Sequence, residues 1–195
     1  MGRILTDEAI ADFRTRLCDA AEAQLAEGGR TAVNMRGVAE RLGVSAMTPY
    51  RYFESKQAMI NAVRVRGFER LAKALEDAGS AAGPKDVGRA VSEAYVAFAS
   101  ENPAIYRLMF ESGSAGEGAD PDLAKAVGRA RAAMSRDLQR SFQELGPASD
   151  AQMAGDLFWA TLHGLLALGM AGKLPDCESV QAVAVAALSR GLAAV

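Results

Sequence analysis

Apolar residues along this chain recur at steps of three and four almost from end to end, the spacing that lines one face of an α-helix. Thr6 is placed to cap a first helix, and Asp7 and Glu8 complement the dipole of its opening turn. Ile10, Phe13, Leu17, Ala20, Ala21 and Leu25 form its inner stripe, and Gly28 with Gly29 ends it. Asn34 caps a second helix to Leu42, whose Val38, Ala39 and Leu42 turn inward, and Gly43 supplies a left-handed stop. Ser45 caps a short third helix, and Ser55 a long fourth one running to about Ala78. After the break "AGSAAGPKD", Asp86 opens a helix with Val87, Val91, Ala94, Tyr95 and Phe98 on one face. The pairs Asn102, Pro103 and Asp120, Pro121 each join a cap to a first-turn proline; the first starts "AIYRLMF" and the second a helix to about Leu145. Between them "ESGSAGEGAD" is the most loop-like stretch of the chain. A very apolar helix from Gln152 to about Ala171 follows. The last helix is striped by Val180, Val183, Ala184, Ala187, Leu188, Leu192 and Val195. No segment alternates as a strand would. The expected fold is all-α, with about nine helices.

The third helix breaks the rule that the others keep. "GVSAMTPYRYFESK", Gly43 to Lys56, meets Pro49 early and crowds Tyr50, Tyr52 and Phe53 together, where a core helix would space its rings three and four apart. Two helices joined through "LGVS" have the helix-turn-helix arrangement, whose second helix enters the major groove of DNA. On that reading Ala46, Met47 and Thr48 face base edges. Tyr50 and Tyr52 carry hydroxyls toward phosphates, Phe53 anchors the core, and Lys56 joins the Ser55-capped helix start to hold a phosphate. Pro49 biases Thr48 away from ideal helix geometry. Two tyrosines two residues apart cannot share one buried face, so at least one is exposed.

Charge agrees locally and not globally. The 195 residues carry a net charge of −2, so nothing in the total announces nucleic acid. From Gly28 to Lys56, however, five basic residues (Arg30, Arg36, Arg41, Arg51, Lys56) stand against two acidic ones, Glu40 and Glu54. Phosphate neutralisation needs only such a patch. Cys18 and Cys177 form no metal spacing and read as reduced thiols of a cytoplasmic protein; Cys18 reads as a core residue. His163 is the only histidine. The opening residues lack an apolar signal core, and the uncharged run from Leu157 to Gly172 is short for a membrane span. No nucleophile elbow, phosphate-binding glycine loop, carboxylate–histidine cluster or metal spacing is present, so no enzyme, cofactor or metal is implied.

"TAVNMRGVAERLGVSAMTPYRYFESKQAMINAV" resembles the N-terminal DNA-binding domain of TetR-family transcriptional regulators, from Phe13 to about Val63. "NPAIYRLMF" and "WATLHG" are similar to a subgroup of that family named for its Trp, His and Gly, here Trp159, His163 and Gly164. The resemblance implies a homodimer that reads a palindromic operator on double-stranded DNA and is released by a small organic effector bound in a C-terminal helical domain. It places the DNA contacts on Asn34, Arg36, Ala46, Met47, Thr48, Tyr50, Tyr52 and Lys56. The sequence departs from many relatives at Pro49, where they have leucine, and at Tyr52, where they have histidine. Arg36 stays open between a surface residue and a DNA contact, and Arg51 faces away from the groove or pairs with a carboxylate.

The expected division is residues 1–55 for DNA binding and 56–195 for effector binding and dimerisation, the latter through the last two helices. Tyr95, Phe98, Tyr106, Phe110, Met134, Trp159 and His163 are the effector-binding candidates. Each aromatic or Met candidate alone reads first as core, and His163 equally as a satisfied buried histidine or an effector's hydrogen-bonding group; together they are rich in adaptable aromatic and Met surface. The alternative from another class is a helical small-molecule-binding protein without sequence-specific DNA binding.

Overall fold

The computed structural model describes residues 6–83, 86–111, 120–141, 148–174, 179–180, 182–184 and 186. Every regular element among them is helical: α1 Asp7–Ala32, α2 Met35–Arg41, a 3-10 helix Pro49–Arg51, α3 Lys56–Ala81, α4 Val87–Glu101, α5 Pro103–Phe110, α6 Pro121–Ser141 and α7 Ala148–Met170. The described residues from 179 to 186 are helical too. The remainder of the expected last helix, most of the glycine-rich stretch after Glu111, and Cys177 lie outside the described residues.

Two units emerge from the packing: Met1–Gly67 with Pro103–Leu123, and Phe68–Asn102 with Ala124–Val195. In the first, α1 buries Leu17, Cys18, Ala21 and Leu25, while Ile10 is exposed near its start. Thr6 Oγ1 caps α1 by accepting from the Ala9 N–H at 3.2 Å. The helical segment breaks at Gly28 and Gly29, the latter at a φ of 70° that a side chain rarely tolerates. Gly37 lets α2 approach α1 closely: a Cβ there would stand 2.3 Å from Gln24 Nε2. Gly43, at φ 65°, ends α2 and turns the chain toward the next element. α5 belongs to this unit as well. Arg64 Nη2 donates to the Met109 carbonyl at 3.2 Å, and a Cβ on Gly67 would meet Met109 Sδ at 2.8 Å.

The second unit joins the C-terminal part of α3 to α4, most of α6 and α7, around buried Leu71, Leu75, Tyr95, Met134, Phe158 and Leu162. Arg129 grips Glu76 with two hydrogen bonds, at 3.1 and 2.6 Å, and Arg131 likewise holds Asp156. α6 and α7 cross at small residues, where a Cβ on Gly155 would lie 2.3 Å from Ser135 Oγ.

Three local expectations are corrected. The segment after Ser45 is a turn and then a 3-10 helix, not a capped α-helix. Pro49 has no N–H to give the Ser45 carbonyl, so that oxygen accepts from Thr48 at 2.8 Å and the chain tightens. Thr48 nevertheless keeps helical angles, φ −62° and ψ −46°, because its own carbonyl accepts from the Arg51 N–H. Asp86 makes no side-chain cap: its backbone is already right-handed, and its carboxylate accepts from Arg89 at 3.3 Å.

Candidate nucleic-acid interface

The reading element is built on three supports. Asn34 caps α2 with Oδ1, which accepts from the Gly37 N–H at 2.8 Å. Its own N–H donates to Gln24 Oε1 at 2.9 Å and its Nδ2 to the Ala32 carbonyl at 2.9 Å, so α2 is pinned to α1 through this one residue. Phe53 is buried beneath the 3-10 helix, and Arg14 lies 4.3 Å over its ring while donating Nη1–H to the Tyr52 carbonyl. Ser55 then starts α3, its Oγ accepting from the Ala58 N–H at 3.1 Å.

On this base the expected contact residues take different positions. Ala46, Met47 and Tyr50 are exposed on the turn and the 3-10 helix, with Thr48 half-buried between them and Pro49 buried behind. Tyr52 is half-buried, its ring 4.7 Å from that of Phe13. The two tyrosines thus divide, one outward and one against the core, as their spacing demands. Lys56 is exposed as the first residue of α3, beside donor groups that have no partner within the helix. Arg36, 81% exposed, pairs with Glu40 one turn along α2 at 3.0 Å; so exposed a pair is weak and can yield to a phosphate. Arg51 is exposed, and Arg41 is engaged by Glu27.

Sequence reasoning missed Phe13, Arg14 and Gln24 as supports of this surface. Arg14 meets a carbonyl 38 residues away, and no local spacing signals such a contact. Arg14, Tyr52 and Phe53 also line an open cleft of about 500 Å³ with Cys18, Ala58 and Arg66. Burial pushes the Cys18 thiol above its usual range, although Arg66 pulls the other way.

The effector-binding candidates fall into both units. Tyr106 and Phe110, in the first, have ring centroids 5.0 Å apart. Tyr95, Phe98, Met134, Trp159 and His163 lie in the second. Trp159 spends its indole N–H on Tyr95 Oη at 2.9 Å, tying α7 to α4. His163 is half-buried one turn further along α7, and desolvation holds its pKa below the usual imidazole value.

Residues 17–63 match the family described as bacterial regulatory proteins, tetR family, and residues 89–190 match the tetracyclin repressor-like C-terminal domain. The HTH-type transcriptional repressor KstR of Mycolicibacterium smegmatis is 42% identical over 79 residues, which are 40% of this chain and 39% of that protein. The chain thus aligns with about two-fifths of the length of that relative. A solved protein from Rhodococcus sp. RHA1, of unknown function, superimposes with a TM-score of 0.78 and 28% identity, covering 91% of this chain and 94% of its own. The transcriptional regulator FadR from Bacillus subtilis, solved in complex with stearoyl-CoA, shares the fold with a TM-score of 0.72 at 16% identity, covering 91% and 98%. With the C-terminal family match alone spanning more than half of its length and the helix-turn-helix match preceding it, this chain belongs to the TetR family of bacterial regulatory proteins.

Proposed function

We propose that the protein is a ligand-responsive transcriptional repressor that binds a palindromic operator as a homodimer and leaves it when a small organic effector binds. The carrying observation is the turn and 3-10 helix at residues 46–51, which expose Ala46, Met47, Tyr50 and Arg51, fixed by the Asn34 cap, buried Phe53 and Arg14, and followed by Lys56 on a capped helix start. Asn34 contributes by placement, Arg36, Tyr50, Tyr52 and Lys56 by phosphate contact, and Ala46, Met47 and Thr48 by facing bases. The exposed apolar side of α7 supports the dimer, with Met153 and Leu157 68% and 53% exposed. Twofold symmetry in the protein then matches twofold symmetry in the operator.

For the effector, the hydrogen bond from Trp159 to Tyr95 supplies a mechanism. An amphipathic molecule that replaces this bond, with His163 beside it, would uncouple α7 from α4 and change the arrangement of a dimer built on α7. Tyr95, Phe98 and Met134, in the same unit, would give such a site apolar walls. Residues 1–55 would then carry DNA recognition and 56–195 the response, in the cytoplasm.

Binding of the full chain to duplexes at several salt concentrations tests the DNA reading. Lys56→Ala is expected to weaken specific and random duplexes alike, and to reduce the salt slope by about one for each lost phosphate contact in each subunit. A chain that binds no duplex more tightly than random sequence would refute the repressor reading.

A further inference from the structure

The tip of the reading element is apolar in an unusual place. Met47 is 67% exposed, and Ala46 beside it is exposed as well. The Ser45 hydroxyl turns back to accept from the Met47 N–H at 3.4 Å, and Thr48 is half-buried. Between Ser45 and Tyr50 there is no Arg, Lys, Asn, Gln, Asp or Glu, the side chains that read guanine, adenine or cytosine by paired hydrogen bonds. A projecting thioether and a methyl can complement only an apolar feature of the major groove. B-DNA has one such feature, the 5-methyl group of thymine.

We propose that Met47, with Ala46 at its side, is a specificity-determining residue that selects thymine in each half-site by packing against its 5-methyl group. This rests on the DNA-binding reading above and adds to it the base class read by the tip. Two features of the fold equip Met47 for the task. Pro49 denies the Ser45 carbonyl its usual partner, and the resulting turn lifts residues 46 and 47 clear of the core as a blunt apolar knob. The methionine chain is unbranched and polarisable, so it can follow a methyl whose position shifts with local DNA shape. Leaving it in water has no packing return in the folded chain, whereas base contact buries it.

The test uses the full chain and a duplex enriched by that chain from a random pool. Each thymine of the enriched site is replaced in turn by uracil, which removes the methyl and keeps every hydrogen-bonding group. At one or more positions per half-site the substitution is expected to weaken binding about fourfold, and about fifteenfold when both half-sites are changed, the worth of one buried methyl each. Met47→Ala should bind the thymine duplex no better than the uracil duplex, while Met47→Leu, still apolar, should restore part of the preference. All three proteins should melt together, because residue 47 contributes nothing to the core. Indifference of the wild-type chain to uracil at every position would overturn the assignment, as would a full thymine preference retained by Met47→Ala. A pool that yields no enriched duplex would instead overturn the DNA reading itself, and the proposal with it.

Discussion

Asn34 is held through both its backbone and its side chain, which supports the placement role proposed for it. Its N–H and Nδ2 donate to Gln24 and Ala32, its Oδ1 accepts from Gly37, and its carbonyl accepts from the Val38 N–H at 3.1 Å. Asn34→Ala should therefore cost about 1 kcal/mol of stability, the worth of a cap. It should weaken specific and random duplexes equally, which thermal unfolding and parallel binding curves would show. A changed base preference at unchanged melting temperature would return Asn34 to the reading surface. His163 gives a second test at this scale. Burial lowers its pKa from 6.5, so the unfolded chain binds the proton more readily. Stability from this group is complete above pH 6.5 and is lost as pH falls below that toward the folded value. Asp156 and Glu76, which their arginines hold below their usual 3.8 and 4.5, lose their contribution only in more acid solution. Between pH 7.5 and 5.5 the wild-type melting temperature should fall, and His163→Gln should flatten that slope, since the chain has no other histidine.

Among the elements, α6 and α7 cross at a site set by hydrogen bonds and one glycine. Gln152 Nε2 donates to Ser135 Oγ at 2.9 Å, Ser135 Oγ donates to the Arg131 carbonyl at 3.0 Å, and Arg131 holds Asp156. A Cβ on Gly155 would meet Ser135 Oγ at 2.3 Å and the Ser135 Cα at 2.9 Å. Gly155→Ala should cost about 1–3 kcal/mol by overpacking. Adding Ser135→Ala should rescue little, because the backbone carbon remains in the way. Thermal melts of the single and double variants would measure this, and full rescue would show that the hydroxyl alone sets the crossing. Most elements were legible beforehand because caps act within a turn: Thr6, Ser55 and Asp120 all cap as their spacing implies, Asp120 Oδ1 accepting from both Asp122 and Leu123 at 3.1 Å. Spacing alone reads the segment after Ser45 as a helix, but in so short a segment the one donor missing at Pro49 decides the geometry.

For the molecule as a whole, the exposed apolar face of α7 carries the proposed dimer. Its inner face buries Phe158, Leu162 and Leu166, while Met153, Leu157 and Leu168 remain open to solvent and an added Cβ on Gly164 would meet nothing within 4 Å. A stripe with this much apolar area suits a two-fold helix pairing. Leu157→Asp is expected to yield a folded monomer by light scattering at micromolar concentration, with unchanged helical circular dichroism and a loss of operator affinity exceeding tenfold. A dimer that survives the substitution would move the interface elsewhere. Among the described residues no helix is long and apolar enough to cross a membrane.

Periodicity and caps determined the all-helical fold and the position of the helix-turn-helix, because each depends on residues within a turn or two of one another. The local basic excess and the Gly43 stop belong to the same short range. Tertiary structure alone decided which tyrosine faces outward, since Tyr52 turns inward only where Phe13 and Arg14 receive it. It also decided that the Trp159 donor goes to Tyr95, 64 residues away, and that Tyr106 and Phe110 pack in a different unit from the other aromatic candidates. Such pairings arise when helices pack, and nothing in the spacing along one helix says which face of another it will meet.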